Sequence, residues 1–253
     1  MKRNTFVSLG FNCEAAYQFR RVNGDDQASF FSWTYCKFNP LLGLIKADFD
    51  GVLLWENVKK LGLMVHDHAF DVSFHGEVFN NTRDGADVEL AKALLADMQS
   101  KFRYLAERWR HTVSTAGLTT YFLKIKHNDP NAPDARRAAV ELRDLLRMKY
   151  PAHEFRIVVL QSLESVEREP QWDEDRIFNR YLQRYAADVD PENDAFTSSW
   201  DAIFAEFPVQ QTRPEPVEVA TPAVVTPPPA TSAAPRLPAL LRRWFPAAIL
   251  RTR

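Results

Sequence analysis

The stretch "VSLGFNCEAAYQFRR" (residues 7–21) contains one of only two cysteines in the chain. Residues 5–9 favour a β-strand, Gly10 permits a tight turn, and Asn12 can cap a helix that begins at Cys13. A helix N-terminus has a partial positive charge and free N–H groups, which stabilise a thiolate and an oxyanion. We therefore expect Cys13 to have a lowered thiol pKa and to act as a nucleophile. The alternative is that Cys13 is a small, buried core residue.

A nucleophilic cysteine needs a base within hydrogen-bonding distance, and the chain has six histidines. His75 lies on the polar face of the alternating run "FDVSFHG", whereas His127 ends the apolar run "TTYFLKIKH" two residues before Asp129. On the residues alone these two histidines are equally good candidates. His66 and His68 could bind a metal, but two ligands spaced i, i+2 are a weak signal, so we predict no metal site.

The other cysteine and two further histidines have simpler interpretations. Cys36 lies in the aromatic run "FFSWTYCKF", and we expect it to be a core residue. His111 and His153 lie near the ends of helical segments, and we expect both to be solvated.

Two strong strand patterns and the helix between them determine the predicted fold. "TTYFLKIKH" (residues 119–127) and "FRIVVLQS" (155–162) are dense in β-branched and aromatic residues, and residues 134–151 between them form an amphipathic helix. A strand, a helix of this length and a second strand form a βαβ unit, so the two strands should be parallel. Residues 88–113 predict a long amphipathic helix before the first strand.

Two further helices are predicted near the end of this region, over "DRIFNRYLQRYAAD" (residues 175–188) and "SSWDAIFAEF" (198–207). The predicted fold class is α/β, with three layers and a mostly parallel sheet flanked by helices. In such sheets, sites form at the carboxyl ends of the strands, where Cys13 would lie.

Composition excludes several classes of protein. The 253 residues are 45% hydrophobic and 12% aromatic, which is enough for one sizeable core. A net charge of -1 argues against a nucleic-acid binder, and no apolar run approaches the roughly 18–20 residues of a membrane span. Two cysteines form no disulfide framework, and with no export signal we expect a cytoplasmic location. No phosphate-binding loop is present, and we predict no cofactor.

The composition changes near Pro208. We predict an α/β domain over residues 1–207, a disordered Pro-, Ala- and Thr-rich linker over 208–235, and a short basic amphipathic segment over 236–253. Residues 210–253 carry six arginines and two glutamates, a net charge of +4. We expect the basic segment to contact an anionic inner-membrane surface peripherally; the alternative is docking on the acidic body of the chain or on a partner protein.

A resemblance bears on the choice of base. The succession of "VSLGFNCEAAYQFRR", "SFFSWTY", "FDVSFHGEV", "KFRYLAERW" and "YFLKIK", spread over roughly residues 5–205, resembles a bacterial family of unknown function described as "putative papain-like cysteine peptidases". The resemblance implies that Cys13 is the family cysteine, His75 the family histidine and Trp33 an aromatic anchor. The chain departs from the family pattern at Ser32 and Gly76, where aspartates are expected, and this weakens any triad built on those positions.

The resemblance implies a cysteine-dependent acyl-transfer enzyme, similar to a peptidase or an amidase, that acts on an acyl, peptide or glycan substrate. Two alternatives stay open: an acyltransferase of surface-polysaccharide assembly, and a non-catalytic binding or scaffold domain in which the cysteine is buried. The expected site residues are the nucleophile Cys13, the base His75, the alternative base His127 with the supporting Asp129 and Asn12, and the substrate-contacting Trp33 and Arg20.

Overall fold

The computed structural model describes residues 4–24, 28–62, 64–75, 88–125, 134–188, 190 and 192–208. In chain order these residues form β1 (Asn4–Leu9), α1 (Glu14–Asn23), β2 (Thr34–Cys36), α2 (Phe38–Lys46), β3 (Val58–Leu61), β4 (Met64–Asp67), β5 (Val72–His75), α3 (Val88–Ser114), β6 (Leu118–Lys124), α4 (Ala135–Lys149), β7 (Glu154–Ser162), β8 (Asp173–Glu174), β9 (Ile177–Leu182) and α5 (Thr197–Glu206). A short 3-10 turn over Trp55–Asn57 precedes β3.

The larger sheet has the strand order β1-β6-β7-β9-β8. Strands β1, β6, β7 and β9 are parallel, and only β8 runs antiparallel to its neighbour β9. The α4 helix connects β6 to β7, as the βαβ pattern predicted. The structure therefore confirms a mostly parallel sheet with flanking helices.

Helices cover both faces of this sheet. Successive residues of a strand point to opposite faces, and on β6 Tyr121 belongs to one buried cluster while Phe122 belongs to the other. Tyr121 lies on the side of α3 and α4, where Trp109 and Leu142 are buried. Phe122 packs in the second cluster against α1 and α5, through Phe19 and Phe204. This arrangement gives the three layers that the sequence predicted.

One predicted helix is wrong. Residues 175–188 were expected to be helical, but residues 177–182 form β9, which pairs in parallel with β7 from Ile157–Ile177 to Ser162–Leu182. The pattern of polar and apolar residues in "IFNRYL" fits either structure locally. Pairing with a strand whose side chains are nearly all buried decides for the strand. The other predicted closing helix is confirmed as α5.

A second sheet, with four antiparallel strands in the order β2-β5-β4-β3, packs beside the first. The sequence predicted only β5 in this sheet, from the alternating run "FDVSFHG"; β2, β3 and β4 are equally short or shorter and lie in no comparable alternating run. Phe74 on β5 and Phe30, in the turn before β2, both contact α3: their ring centroids lie 4.5 Å and 5.3 Å from that of Phe102. The second sheet and the first therefore share one core.

The predicted linker and basic segment lie outside the described residues, except for Pro208. Within the part of the chain that the structure describes, none of the helices combines the length and the apolar character needed to cross a lipid bilayer.

Candidate active site

The turn between β1 and α1 positions Cys13 at the start of the helix. Gly10 and Phe11 both adopt positive φ values, 63° and 67°, which reverse the chain after the strand. Cys13 is then the N-cap residue of α1. The Asn12 Oδ1 atom accepts a hydrogen bond of 3.2 Å from the Glu14 N–H, so Asn12 satisfies one N–H at the start of α1 from the position before the N-cap, rather than as the N-cap residue itself.

A close backbone contact attaches this turn to the smaller sheet. The Phe11 N–H donates a hydrogen bond of 3.0 Å to the carbonyl oxygen of Cys36 on β2. A Cβ atom added at Gly10 would lie 2.6 Å from that same oxygen, so only glycine allows the turn to approach β2 without a shift. Cys36 itself is buried in the core, as predicted.

His75 reaches the site from the smaller sheet. It ends β5, which pairs with β2 in the register Cys36–Val72 and Thr34–Phe74. The His75 N–H lies 3.4 Å from the carbonyl oxygen of Trp33, which precedes β2. The His75 Nε2 atom lies 3.2 Å from the Sγ atom of Cys13. The structure therefore brings together the cysteine and the histidine that the resemblance indicated.

Burial determines the protonation of this pair. The Cys13 side chain is nearly inaccessible, and burial raises its pKa to about 12, although the positive charge of Lys124 acts in the opposite direction. His75 is exposed as a residue, but partial burial of its imidazole lowers its pKa. The expected lowering of the Cys13 pKa is therefore wrong, because desolvation of the thiolate outweighs the attraction of the Lys124 ammonium. At neutral pH the resting pair is a neutral thiol beside a neutral imidazole.

A buried network lies beside the cysteine. The Lys124 ammonium, at the end of β6, contacts the Glu14 carboxylate and donates a hydrogen bond of 3.0 Å to Asn12 Oδ1. Glu14 is fully buried, and it also accepts hydrogen bonds from the Trp200 Nε1–H at 3.0 Å and the Ala186 N–H at 3.2 Å. The sequence analysis missed Glu14 and Lys124. The available signal was a lysine within the otherwise apolar strand "YFLKI".

The segment after β9 closes another side of the site. The Asn12 Nδ2–H donates a hydrogen bond of 3.0 Å to the Asp188 carboxylate, whose negative charge raises the pKa of Cys13 further. Sequence analysis did not predict a role for Asp188, because 176 positions separate it from Asn12.

The expected substrate-contacting residues lie on one wall beside α1. The rings of Tyr17 and Trp33 meet edge to face, with centroids 5.2 Å apart. The Arg20 guanidinium carbon lies 5.1 Å from the Trp33 ring centroid and 5.6 Å from that of Tyr17, within the range of cation–π contacts. Burial raises the pKa of Tyr17 to about 12. The Tyr17 N–H donates a hydrogen bond of 3.1 Å to the Cys13 carbonyl oxygen, which places this wall one helical turn from the nucleophile.

The structure leaves the alternative base untested, because His127 and Asp129 lie outside the described residues. The expected solvation of His153 is wrong: it is buried, and its Nε2 atom lies 2.9 Å from the Tyr121 hydroxyl oxygen. The hydroxyl of Ser32, where the family pattern has an aspartate, lies 3.0 Å from that of Ser29. Among the described residues, no three His, Cys, Asp or Glu side chains are grouped as metal ligands.

Comparison with known proteins identifies one family. The model of a family described as "Putative papain-like cysteine peptidase (DUF1796)" matches residues 4–164, more than half of the chain. The matched region includes both Cys13 and His75. The comparisons with curated proteins and with solved structures give no match.

Proposed function

The chain belongs to the family described as "Putative papain-like cysteine peptidase", and from this premise we propose that it is a cysteine-dependent acyl-transfer enzyme that hydrolyses an amide or peptide bond. The observation that carries the proposal is the 3.2 Å distance between Cys13 Sγ and His75 Nε2. A nucleophilic thiol and its general base need this distance for direct proton transfer.

The reaction starts from the neutral pair. His75 Nε2 takes the thiol proton as Cys13 Sγ attacks the substrate carbonyl carbon, and the tetrahedral intermediate has an oxyanion beside the imidazolium. Collapse breaks the C–N bond, the imidazolium gives its proton to the departing amine, and a thioester stays on Cys13. Water, activated by His75, then attacks the thioester and releases the acid and the thiol.

The surroundings of the pair support this sequence of steps. Separating charge in a buried site is unfavourable unless fixed dipoles and charges receive it. The start of α1 has a partial positive charge where the oxyanion develops, and Lys124 acts electrostatically on Cys13. His75 is the exposed partner, so it is accessible to the water that deacylation needs. We assign substrate contact to the Trp33–Arg20 wall, where the partly exposed Arg20 guanidinium lies over the buried Trp33 ring and suits a polar or anionic group of the substrate.

The decisive experiment is a search for the acyl-enzyme. The purified chain is incubated with a library of peptide, amide and thioester acyl donors, and Cys13 is analysed by mass spectrometry. We expect an acyl adduct on Cys13, release of the free acid over time, and loss of turnover in Cys13→Ala. His75→Ala should lower turnover by at least about 100-fold, because general-base catalysis contributes at least that factor.

Cys36→Ala is the matched control, because it removes the other buried thiol and leaves the pair intact. An adduct on Cys36, or full turnover by Cys13→Ala, would contradict the proposed function. A chain that forms no adduct with any donor would favour a scaffold domain.

A further inference from the structure

Two opposite charges are buried directly beside the nucleophile, and the proposed reaction does not consume either of them. The side chains of Lys124 and Glu14 are almost completely inaccessible. Burying an ion pair has a desolvation cost that the attraction between the charges offsets only in part, so the pair is weakly explained by fold stability. The position of Lys124 gives a better explanation, because its ammonium contacts Asn12 and Glu14, the two residues that flank Cys13 in the sequence.

Further hydrogen bonds hold both Glu14 and Lys124 in place. The Glu14 carboxylate accepts hydrogen bonds from Trp200 on α5 and from the Ala186 N–H after β9, in addition to the Lys124 contact. Its negative charge is therefore shared among three donors. The Lys124 ammonium donates also to Asn12 Oδ1, the residue immediately before the cysteine. Asn12 in turn donates to Asp188, so the lysine and that aspartate lie on opposite ends of one amide.

We propose that Lys124 is a positioning residue that supplies the positive charge stabilising the Cys13 thiolate during attack, while Glu14 and Asn12 hold its ammonium in place. This inference rests on the proposed function, since it concerns the same nucleophile. The charged and titratable groups that act on Cys13 are Lys124 from β6, Asp188 after β9, His75 from β5 and Tyr17 from α1. Lys124 is the permanent cation among them, and it acts against the desolvation that favours the thiol.

The test uses alkylation of the full chain, which needs no substrate. Rates of Cys13 alkylation are measured with neutral iodoacetamide and with anionic iodoacetate, and peptide mass spectrometry separates Cys13 from Cys36. The test variant is Lys124→Met with Glu14→Gln, which removes both charges and keeps an acceptor for Trp200. We expect iodoacetamide to react about tenfold more slowly at pH 8, since one pKa unit changes the thiolate fraction tenfold.

The rate ratio of iodoacetate to iodoacetamide should fall about threefold in that variant, because it reports the positive potential around the thiol. A purely structural role would lower both rates together and leave the ratio unchanged. Lys124→Arg keeps the charge and should restore the ratio to the wild-type value. An unchanged ratio in a folded double variant would overturn the inference.

A control removes a second charge cluster, which is more exposed than the Lys124–Glu14 pair. Arg180 on β9 donates hydrogen bonds to Glu206 on α5 and to Asp173 on β8. Arg180→Met with Glu206→Gln should reduce thermal stability and leave both alkylation rates of Cys13 unchanged. The test is separate from that of the proposed function, because absence of an acyl adduct leaves both alkylation rates measurable.

Discussion

The two sheets contribute unequally to the candidate site. The larger sheet has four parallel strands of six to nine residues, flanked by helices on both faces, and it positions Cys13 through the turn after β1. The smaller sheet has strands of three or four residues and an exposed edge at β3, and it positions His75. The nucleophile therefore depends on an extensive hydrophobic core, whereas the base depends on short strands attached to that core.

Two backbone contacts link these regions. The Phe11 N–H donates to the Cys36 carbonyl, and the His75 N–H faces the Trp33 carbonyl. The Trp33 carbonyl immediately precedes β2, and the Cys36 carbonyl lies on it. This three-residue strand therefore connects β5 to the turn that carries Cys13. The Sγ–Nε2 distance therefore depends on β2, which contributes no side chain to the reacting pair.

The largest expected effect is on the rate of Cys13 alkylation. It distinguishes His75, on the smaller sheet, from His153, beside the larger sheet. His75→Ala should slow alkylation of Cys13 by about 100-fold at pH 7.5, because the thiol loses its proton acceptor. His153 precedes β7 at the amino edge of the parallel strands, whereas Cys13 lies beyond their carboxyl edge. His153→Gln should therefore leave the rate unchanged. Equal rates of Cys13 alkylation in His75→Ala and His153→Gln would contradict the assignment of His75 as the base.

The pH dependence of turnover also tests whether His75 is the base. Burial lowers the pKa of His75, so the imidazole stays neutral and able to accept a proton below its ordinary value of 6.5. As pH falls, turnover should decline only below that value, when the imidazole becomes protonated. Burial holds the pKa of Cys13 near 12, so thiol ionisation should add no second limb between pH 6.5 and 9. A half-maximal rate well above pH 6.5 would point to a different base.

The next effect tests the link between the sheets. Gly10→Ala adds a Cβ atom 2.6 Å from the Cys36 carbonyl oxygen at a φ of +63°. Strain at a positive φ and the required shift of β2 should together lower the free energy of unfolding by about 2 kcal/mol. Turnover should fall about tenfold, because the shift separates Sγ from Nε2. Gly24→Ala, also at a positive φ but with no atom within 4 Å of the added Cβ, is the control and should leave turnover unchanged.

The smallest effect concerns the stability of the larger sheet. Burial lowers the pKa of His153 to about 4 in the folded chain, from 6.5 when exposed. As pH falls from 6.5 to 4, the unfolded chain therefore binds a proton that the folded chain does not, and stability decreases. Allowing for solvent screening, His153→Gln should remove about 1 kcal/mol of this decrease, measured by urea unfolding at pH 7 and pH 4.5. An identical pH dependence in variant and wild type would contradict the burial argument.

Local pattern alone predicted most of the larger sheet. The strands β1, β6 and β7 and the helices α1, α3, α4 and α5 follow from runs of β-branched residues or from apolar residues at helical spacing. Two strands of that sheet were not predicted: β8 has only two residues, and β9 has a sequence compatible with either structure and becomes a strand by pairing with β7. Short strands such as β2 carry too few residues for a periodic signal, so most of the smaller sheet could not be predicted.

The sequence by itself determined that Cys13 follows a tight turn at the start of a helix, because Gly10, Asn12 and Cys13 are neighbours in the chain. Only the tertiary structure decided what surrounds the thiol. Its neighbours His75, Lys124 and Asp188 are 62 or more residues away in the sequence. The pairing of the strands brings His75 and Lys124 to Cys13, and the segment after β9 brings Asp188. Burial in that environment reversed the expected direction of the Cys13 pKa, because desolvation depends on all the atoms packed around a group.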